Sequence, residues 1–78
     1  MTKVCVKVFR ESIRGNGKQQ AETRAKLRDK ADTWIVDNRQ YSVGTLVRGE
    51  VTIEPFAKSL FGQMTDFFVI KIYEVCNE

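Results

Sequence analysis

The sequence contains no histidine, and it has only one proline and two cysteines in 78 residues. Without histidine, the chain lacks the commonest general base and the commonest zinc ligand. Cys5 and Cys76 stand near opposite ends of the chain, and neither has a second cysteine at metal-ligand spacing. We therefore expect two free thiols, no structural metal site and no bound cofactor.

Long apolar runs are also missing. No uninterrupted stretch approaches the roughly 18 residues that a membrane-spanning helix needs. Lys3 and Lys7 lie between valines near the start of the sequence, where a secretory signal would need a continuous apolar segment. The sequence therefore predicts no membrane partner and a cytoplasmic location.

What is present is typical of a folded globular chain, with 42% hydrophobic and 29% charged residues. Seventy-eight residues leave room for one α+β domain, residues 1–78, of marginal stability. Charge is uneven along it. Residues 1–48 hold 11 of the 13 cations and 5 of the 10 acids, a net charge of +6, and the remainder carries −3. The N-terminal half is therefore basic.

Two segments alternate as β-strands do. Residues 2–10 have apolar side chains at every second position, which predicts a strand with one buried face. These side chains are Val4, Val6 and Val8. Residues 66–76 are apolar on both faces, which predicts an interior strand. One face carries Phe68, Ile70 and Ile72, and the other carries Phe67, Val69, Lys71, Tyr73 and Val75. Side-by-side antiparallel pairing of the two strands would place Cys5 and Cys76 on opposite faces of the sheet.

A long helix is expected between these strands. Asn16 and Gln19 have the spacing of a capping box, and residues 18–36 contain neither proline nor glycine. At 100° per residue the apolar side chains fall on one side. They are Leu27, Ala31, Trp34 and Ile35. This pattern is typical of a surface helix that packs on one face of a sheet.

Residues 41–55 admit two interpretations. A three-residue loop at residues 48–50 would give a hairpin that pairs Val47 with Val51, whereas without a turn one long strand would bend at Gly49. We favour the hairpin because an 11-residue strand is long for so small a domain. A short second helix then suits residues 55–64.

Together these elements predict an α+β fold, with an antiparallel sheet of three or four strands and one long helix on one face. The order β-α-β-β-(short α)-β is that of the ferredoxin-like, or split βαβ, plan. The alternative is a reduced β-α-β-β variant in which a loop replaces the short helix.

The loop before the helix is the first candidate site. Residues 14–18, RGNGK, precede a helix N-terminus, where backbone N–H groups attract anions and where Arg14 and Lys18 would add charge. A Walker-type loop needs four residues between its glycines and a Ser or Thr after its lysine, and this loop has neither. We favour the plainer interpretation, a flexible turn before a capped helix.

The sheet face opposite the helix is the second candidate site. Alternation predicts that its aromatic side chains are interleaved with cations. The predicted members are Lys3, Cys5, Lys7, Phe9, Phe67, Val69, Lys71 and Tyr73. Single-stranded RNA or DNA could stack bases on such rings, and in this layout the face resembles RNA-recognition-motif domains, although their octapeptide motif is missing. Another protein, or a second copy of this chain as a homodimer, would also cover such a face, and we favour a protein.

Catalysis has little support in the sequence. Without histidine, no serine or cysteine has a base at a useful spacing, and no pair of carboxylates is placed for metal-aided chemistry. We therefore expect that the protein is not an enzyme. In its size and its lack of catalytic residues it resembles the host-directed inhibitors that phages and other mobile elements encode.

We predict a small regulatory or inhibitory protein that docks onto a larger protein or nucleoprotein complex, with direct nucleic-acid binding as the alternative. Aromatic side chains would supply desolvated contact area, and cations would steer the protein to an acidic target. The predicted partner-binding residues are Lys7, Phe9, Arg10, Arg14, Lys18, Phe67, Lys71 and Tyr73.

Overall fold

The computed structural model of the protein describes residues 2–55 and 66–76. The elements are β1 (Thr2–Ser12), α1 (Gly17–Asn38), a 3₁₀ turn (Arg39–Tyr41), β2 (Thr45–Arg48), β3 (Thr52–Pro55) and β4 (Asp66–Cys76). The predicted α+β class, with one long helix and an antiparallel sheet, is confirmed. The predicted short helix lies, from residue 56 onward, outside the described residues. No helix within residues 2–55 and 66–76 combines the length and the apolar character needed to cross a membrane.

The central strand of the sheet is β4. β1 pairs with it antiparallel along one side, and β2 and β3 both pair with it antiparallel along the other. A strand with neighbours on both sides is expected to be apolar on both faces, as β4 is. The described elements follow the order β-α-β-β-β, and β2 and β3 follow one another along the same side of β4.

The predicted hairpin at residues 48–50 is wrong. Residues 45–48 pair with residues 72–75 and residues 52–55 pair with residues 66–69, so β2 and β3 are two parts of one bent strand. Three residues of that strand face two residues of β4, which is a β-bulge. The bulge places Leu46 and Val51 against the same core although their positions differ in parity.

A second bulge lies in β1, at Val6. The register with β4 changes between Cys5, which faces Tyr73, and Lys7, which faces Ile72. Directly opposed residues in an antiparallel pair share a face, so every side chain after the bulge moves to the face opposite the predicted one. The predicted alternation of residues 2–10 is therefore wrong from residue 7 onward.

The core lies between α1 and the side of the sheet that faces it. Its buried members are Leu27, Ala31, Phe68, Ile70 and Ile72. Partly buried side chains pack around them, namely Phe9, Ile13, Trp34, Ile35, Leu46 and Val51. The predicted apolar stripe of the helix and the predicted helix-facing side of β4 are thus confirmed.

Candidate docking surface

The sheet surface opposite α1 is the candidate site, and we call it the reverse face. Cross-strand register assigns its members. β1 contributes Lys3, Cys5, Val8, Arg10 and Ser12, β4 contributes Phe67, Val69, Lys71, Tyr73 and Val75, and β2 and β3 contribute Thr45, Val47, Thr52 and Glu54. Half of the predicted partner-binding residues are therefore brought together here: Arg10, Phe67, Lys71 and Tyr73.

Lys7 and Phe9 were predicted on this face, and that prediction is wrong. Phe9 lies opposite Ile70 and packs against the core under α1. Lys7 lies on the same side, with its Nζ atom 5.4 Å from the centroid of the Phe9 ring. The extra residue at Val6 causes both errors, because a bulge reverses the parity of the residues after it. The same reversal brings Val8, which was predicted in the core, onto the reverse face opposite Lys71.

Two of the three cations on the reverse face already have partners. Lys3 Nζ lies 4.1 Å from the centroid of the Tyr73 ring, at a distance typical of a cation–π contact. Lys71 Nζ lies 3.2 Å from Glu54 Oε1, and this is the only ion pair on this face among the described residues. Arg10 is exposed. It is therefore the cation of this face best placed to receive a carboxylate from outside.

The apolar surface of the reverse face is interrupted. Val69, at its centre, is only 1% exposed, and Phe67 and Tyr73 are half-buried, whereas Val47 is 44% exposed. Two depressions of about 300 Å³ lie on this face. One is lined by Arg10, Glu54, Pro55, Phe67 and Val69, and the other by Lys3, Gly49, Glu50, Thr52, Glu54, Lys71 and Tyr73. Mixed charge around half-buried rings suits a protein contact better than an open stacking platform.

Arg14 and Lys18 lie off the sheet, in the loop before α1 and in the first turn of the helix. Asn16 Oδ1 accepts from the Gln19 N–H at 3.0 Å, and Gln19 Oε1 accepts from the Asn16 N–H at 3.0 Å, which confirms the capping box. These two backbone donors are therefore engaged by side chains and not directed at an anion. The geometry favours a capped turn over a phosphate cradle.

A polar cluster closes the turn before β2. Ser42 Oγ donates to Glu74 Oε2 at 2.6 Å and accepts from the Gly44 N–H at 3.2 Å. Cys76 Sγ lies 3.8 Å from the other Glu74 oxygen. The cluster ties residues 42–44 to β4.

The cysteines and the carboxylates form no further chemical site in the part of the chain that the structure describes. Cys5 and Cys76 are free thiols on opposite faces, as predicted. No three acidic, cysteine or histidine side chains within residues 2–55 and 66–76 converge as metal ligands would.

An open, shallow groove that the sequence did not reveal lies between β1 and α1, on the side of the sheet that faces the helix. Its volume is about 400 Å³, and its lining is mainly apolar. It is lined by Phe9, Asp29, Lys30, Thr33, Trp34 and Asp37. The groove depends on the bulge at Val6, which turns Phe9 towards the helix, and no local signal in the sequence marks that residue.

No protein-family model matches the chain, and comparisons with curated proteins and with solved structures find no match either.

Proposed function

We propose that this protein is a non-enzymatic regulatory or inhibitory protein that docks onto an acidic surface of a larger protein assembly. The observation that carries the proposal is the composition of the reverse face, where an exposed Arg10 lies beside the half-buried ring of Phe67. Arginine and aromatic side chains are the residue types that most often dominate the binding energy of protein interfaces. Lys3 adds positive charge near the same strand, so an acidic target would be attracted before contact.

Direct nucleic-acid binding is less well supported by the same geometry. Base stacking needs exposed ring faces, but Lys3 lies over the Tyr73 ring and Phe67 is half-buried. The third predicted stacking ring, Phe9, packs under α1. We therefore treat nucleic-acid binding as an outcome that the experiment can detect.

The test compares three forms of the protein as baits for capture from native lysate. The first is the wild type, and the second carries Lys3→Glu with Arg10→Glu. The third carries Lys26→Glu with Arg28→Glu, an equal change of charge at exposed positions of α1. We expect the wild type and the helix variant to retain the same stoichiometric protein partner. The reverse-face variant should bind it at least about tenfold more weakly, because it places carboxylates against an acidic surface.

Two results would contradict the proposal. One is equal capture by all three forms. The other is binding of random single-stranded oligonucleotides by the wild type at low salt, with an affinity that falls steeply as the salt concentration rises, since that behaviour reports phosphate contacts. Thermal melts of the three forms control for loss of folding.

A further inference from the structure

One long edge of the sheet is open in the described structure. β1 pairs only with β4 among residues 2–55 and 66–76. The Ile13 N–H donates to Asp66 O at 3.1 Å, so these two residues form a hydrogen-bonded pair. Hydrogen-bonded and non-hydrogen-bonded pairs alternate along an antiparallel ladder. When this alternation is counted back from Ile13, the backbone groups of Phe9 and Glu11 point to β4. Those of Val8, Arg10 and Ser12 point to the free edge.

The opposite edge of the sheet is less suitable for pairing. β2 and β3 have four residues each, and the bulge at residues 49–51 separates them. Pro55 ends β3 and has no N–H to donate. Proteins prevent strand addition at a sheet edge by making the edge strand short, bending it or placing a proline in it. β1 offers a straight stretch after its own bulge, residues 7–12.

The two sides of this stretch differ in chemistry. On the side of α1, a strand added to β1 would place the side chain opposite Phe9 in the groove that Phe9 and Trp34 line. The lining is mainly apolar, and its charged members, Asp29, Asp37 and Lys30, carry both signs, so an apolar side chain would be accepted there. On the reverse face, the next side chain of the added strand would lie beside the exposed guanidinium of Arg10.

A second copy of the chain is a poor occupant of this edge. β1 carries three cations, Lys3, Lys7 and Arg10, against one acid, Glu11. Glu11 lies 3.8 Å from Lys30 of α1. The edge at residues 7–12 holds two of these cations, Lys7 and Arg10, against Glu11, so a second copy would bring an edge of the same net sign, whereas an acidic segment would be attracted.

We propose that the free edge of β1, along residues 7–12, binds an extended segment of a protein partner as an additional strand of the sheet. The segment alternates apolar side chains towards α1 with acidic side chains on the reverse face. Backbone hydrogen bonds to Val8, Arg10 and Ser12 supply affinity, and the groove and Arg10 supply specificity, as in other cases of β-strand addition. The inference rests on the proposed function only in taking the partner to be a protein.

The test uses a seven-residue peptide that alternates glutamate with valine and phenylalanine, with both ends blocked. Amide hydrogen exchange in the free protein should be fast at Val8, Arg10 and Ser12 and slow at Phe9 and Glu11. Adding the peptide should slow exchange at the first three amides at least about tenfold, because they become hydrogen-bonded. Trp34 is the only tryptophan in the chain, so its fluorescence should change in the same titration.

Three controls separate strand addition from general attraction. A peptide with lysine in place of glutamate should bind at least about tenfold more weakly, because it would face Arg10 with like charge. A glutamate peptide that is N-methylated on the residues facing β1 should lose binding. Val8→Pro should also abolish binding, since it removes an outward N–H and leaves the bonds to β4 in place. Should that variant fail to fold, the N-methylated peptide tests the same bonds on the wild-type protein.

The proposal is overturned if the alternating peptide slows none of the three amides at up to about 1 mM. It is also overturned if the N-methylated peptide or the lysine peptide binds as tightly as the alternating peptide. A third contradicting result is a dimer, seen by light scattering, in which these amides are already protected from exchange. If the Lys3→Glu, Arg10→Glu variant loses the lysate partner while Val8→Pro still binds it fully, strand addition is not how the partner binds. The docking function would then stand without it.

Discussion

At the scale of single residues, Gly15 has a backbone conformation that residues with a side chain rarely adopt. Its φ is +81°, in the left-handed region, and a Cβ atom there would lie 1.9 Å from Gln19 Oε1. That oxygen accepts the Asn16 N–H in the capping box of α1. Gly17, two residues later, has no heavy atom within 4 Å of the place where a Cβ would stand. The two glycines of the loop therefore differ sharply, although the sequence presents them alike.

We predict that Gly15→Ala lowers the free energy of unfolding by at least about 1–2 kcal/mol, because alanine is strained at positive φ and would displace the Gln19 side chain. Gly17→Ala is the matched control, and it should be neutral or slightly stabilising, since it opens α1 with a better helix former. Urea denaturation of both variants measures the difference. Equal stabilities for the two would show that the loop does not hold this conformation in solution.

At the scale of elements, the path of the chain into β2 requires close approach to β4. A Cβ at Gly44 would lie 2.5 Å from the backbone oxygen of Val75, whereas a Cβ at Gly49 would lie 3.0 Å from that of Lys71. Both neighbours are backbone atoms of the central strand, so they cannot move as a side chain would. The bent strand thus depends on two glycines, and the first of them has less room.

Gly44→Ala should therefore cost about 1–3 kcal/mol of stability, the usual penalty for forcing an extra methyl group into a packed site. Gly49→Ala should cost less, because its contact is longer by 0.5 Å. Chemical denaturation gives both values, and the order of the two variants is the decisive result. A larger loss at Gly49 would contradict the described path of residues 44–49.

At the scale of the whole molecule, stability depends on one small core. Burial of β4 against α1 provides it, with Ile70 and Ile72 fully buried on the side facing the helix. The ion pairs among the described residues lie at the surface and contribute little, because solvent screens them. A domain of this size is expected to be only marginally stable, so modest changes in the core should be measurable.

Ile70→Val should destabilise the protein by about 0.5–1.5 kcal/mol, since it removes one methyl group from the core. Ile53→Val deletes the same group from a side chain that is 63% exposed, and it should change stability by less than about 0.5 kcal/mol. Thermal or urea unfolding of the pair isolates the effect of burial. Similar losses at both positions would contradict a single core beneath α1.

Several features could be predicted from the sequence because neighbouring residues alone decide them. The capping box at Asn16 and Gln19, the apolar stripe of α1, and the interior position of β4 all follow from local spacing and composition. Hydrophobic periodicity assigns these elements without knowledge of what they touch. The separation of Cys5 and Cys76 onto opposite faces also followed from strand parity, because the bulge lies after Cys5.

The tertiary structure decided the two bulges, and with them the functional surface. Val6 carries no distinctive local pattern, and Gly49 was compatible with a turn or with a bend. The register of each outer strand with β4 places the extra residue, and that register depends on which side chains can be buried together under α1. One extra residue moved Phe9 into the groove and Val8 onto the reverse face. The sequence alone therefore determined which segments form strands and helix, and non-local packing determined which side chains those strands present to a partner.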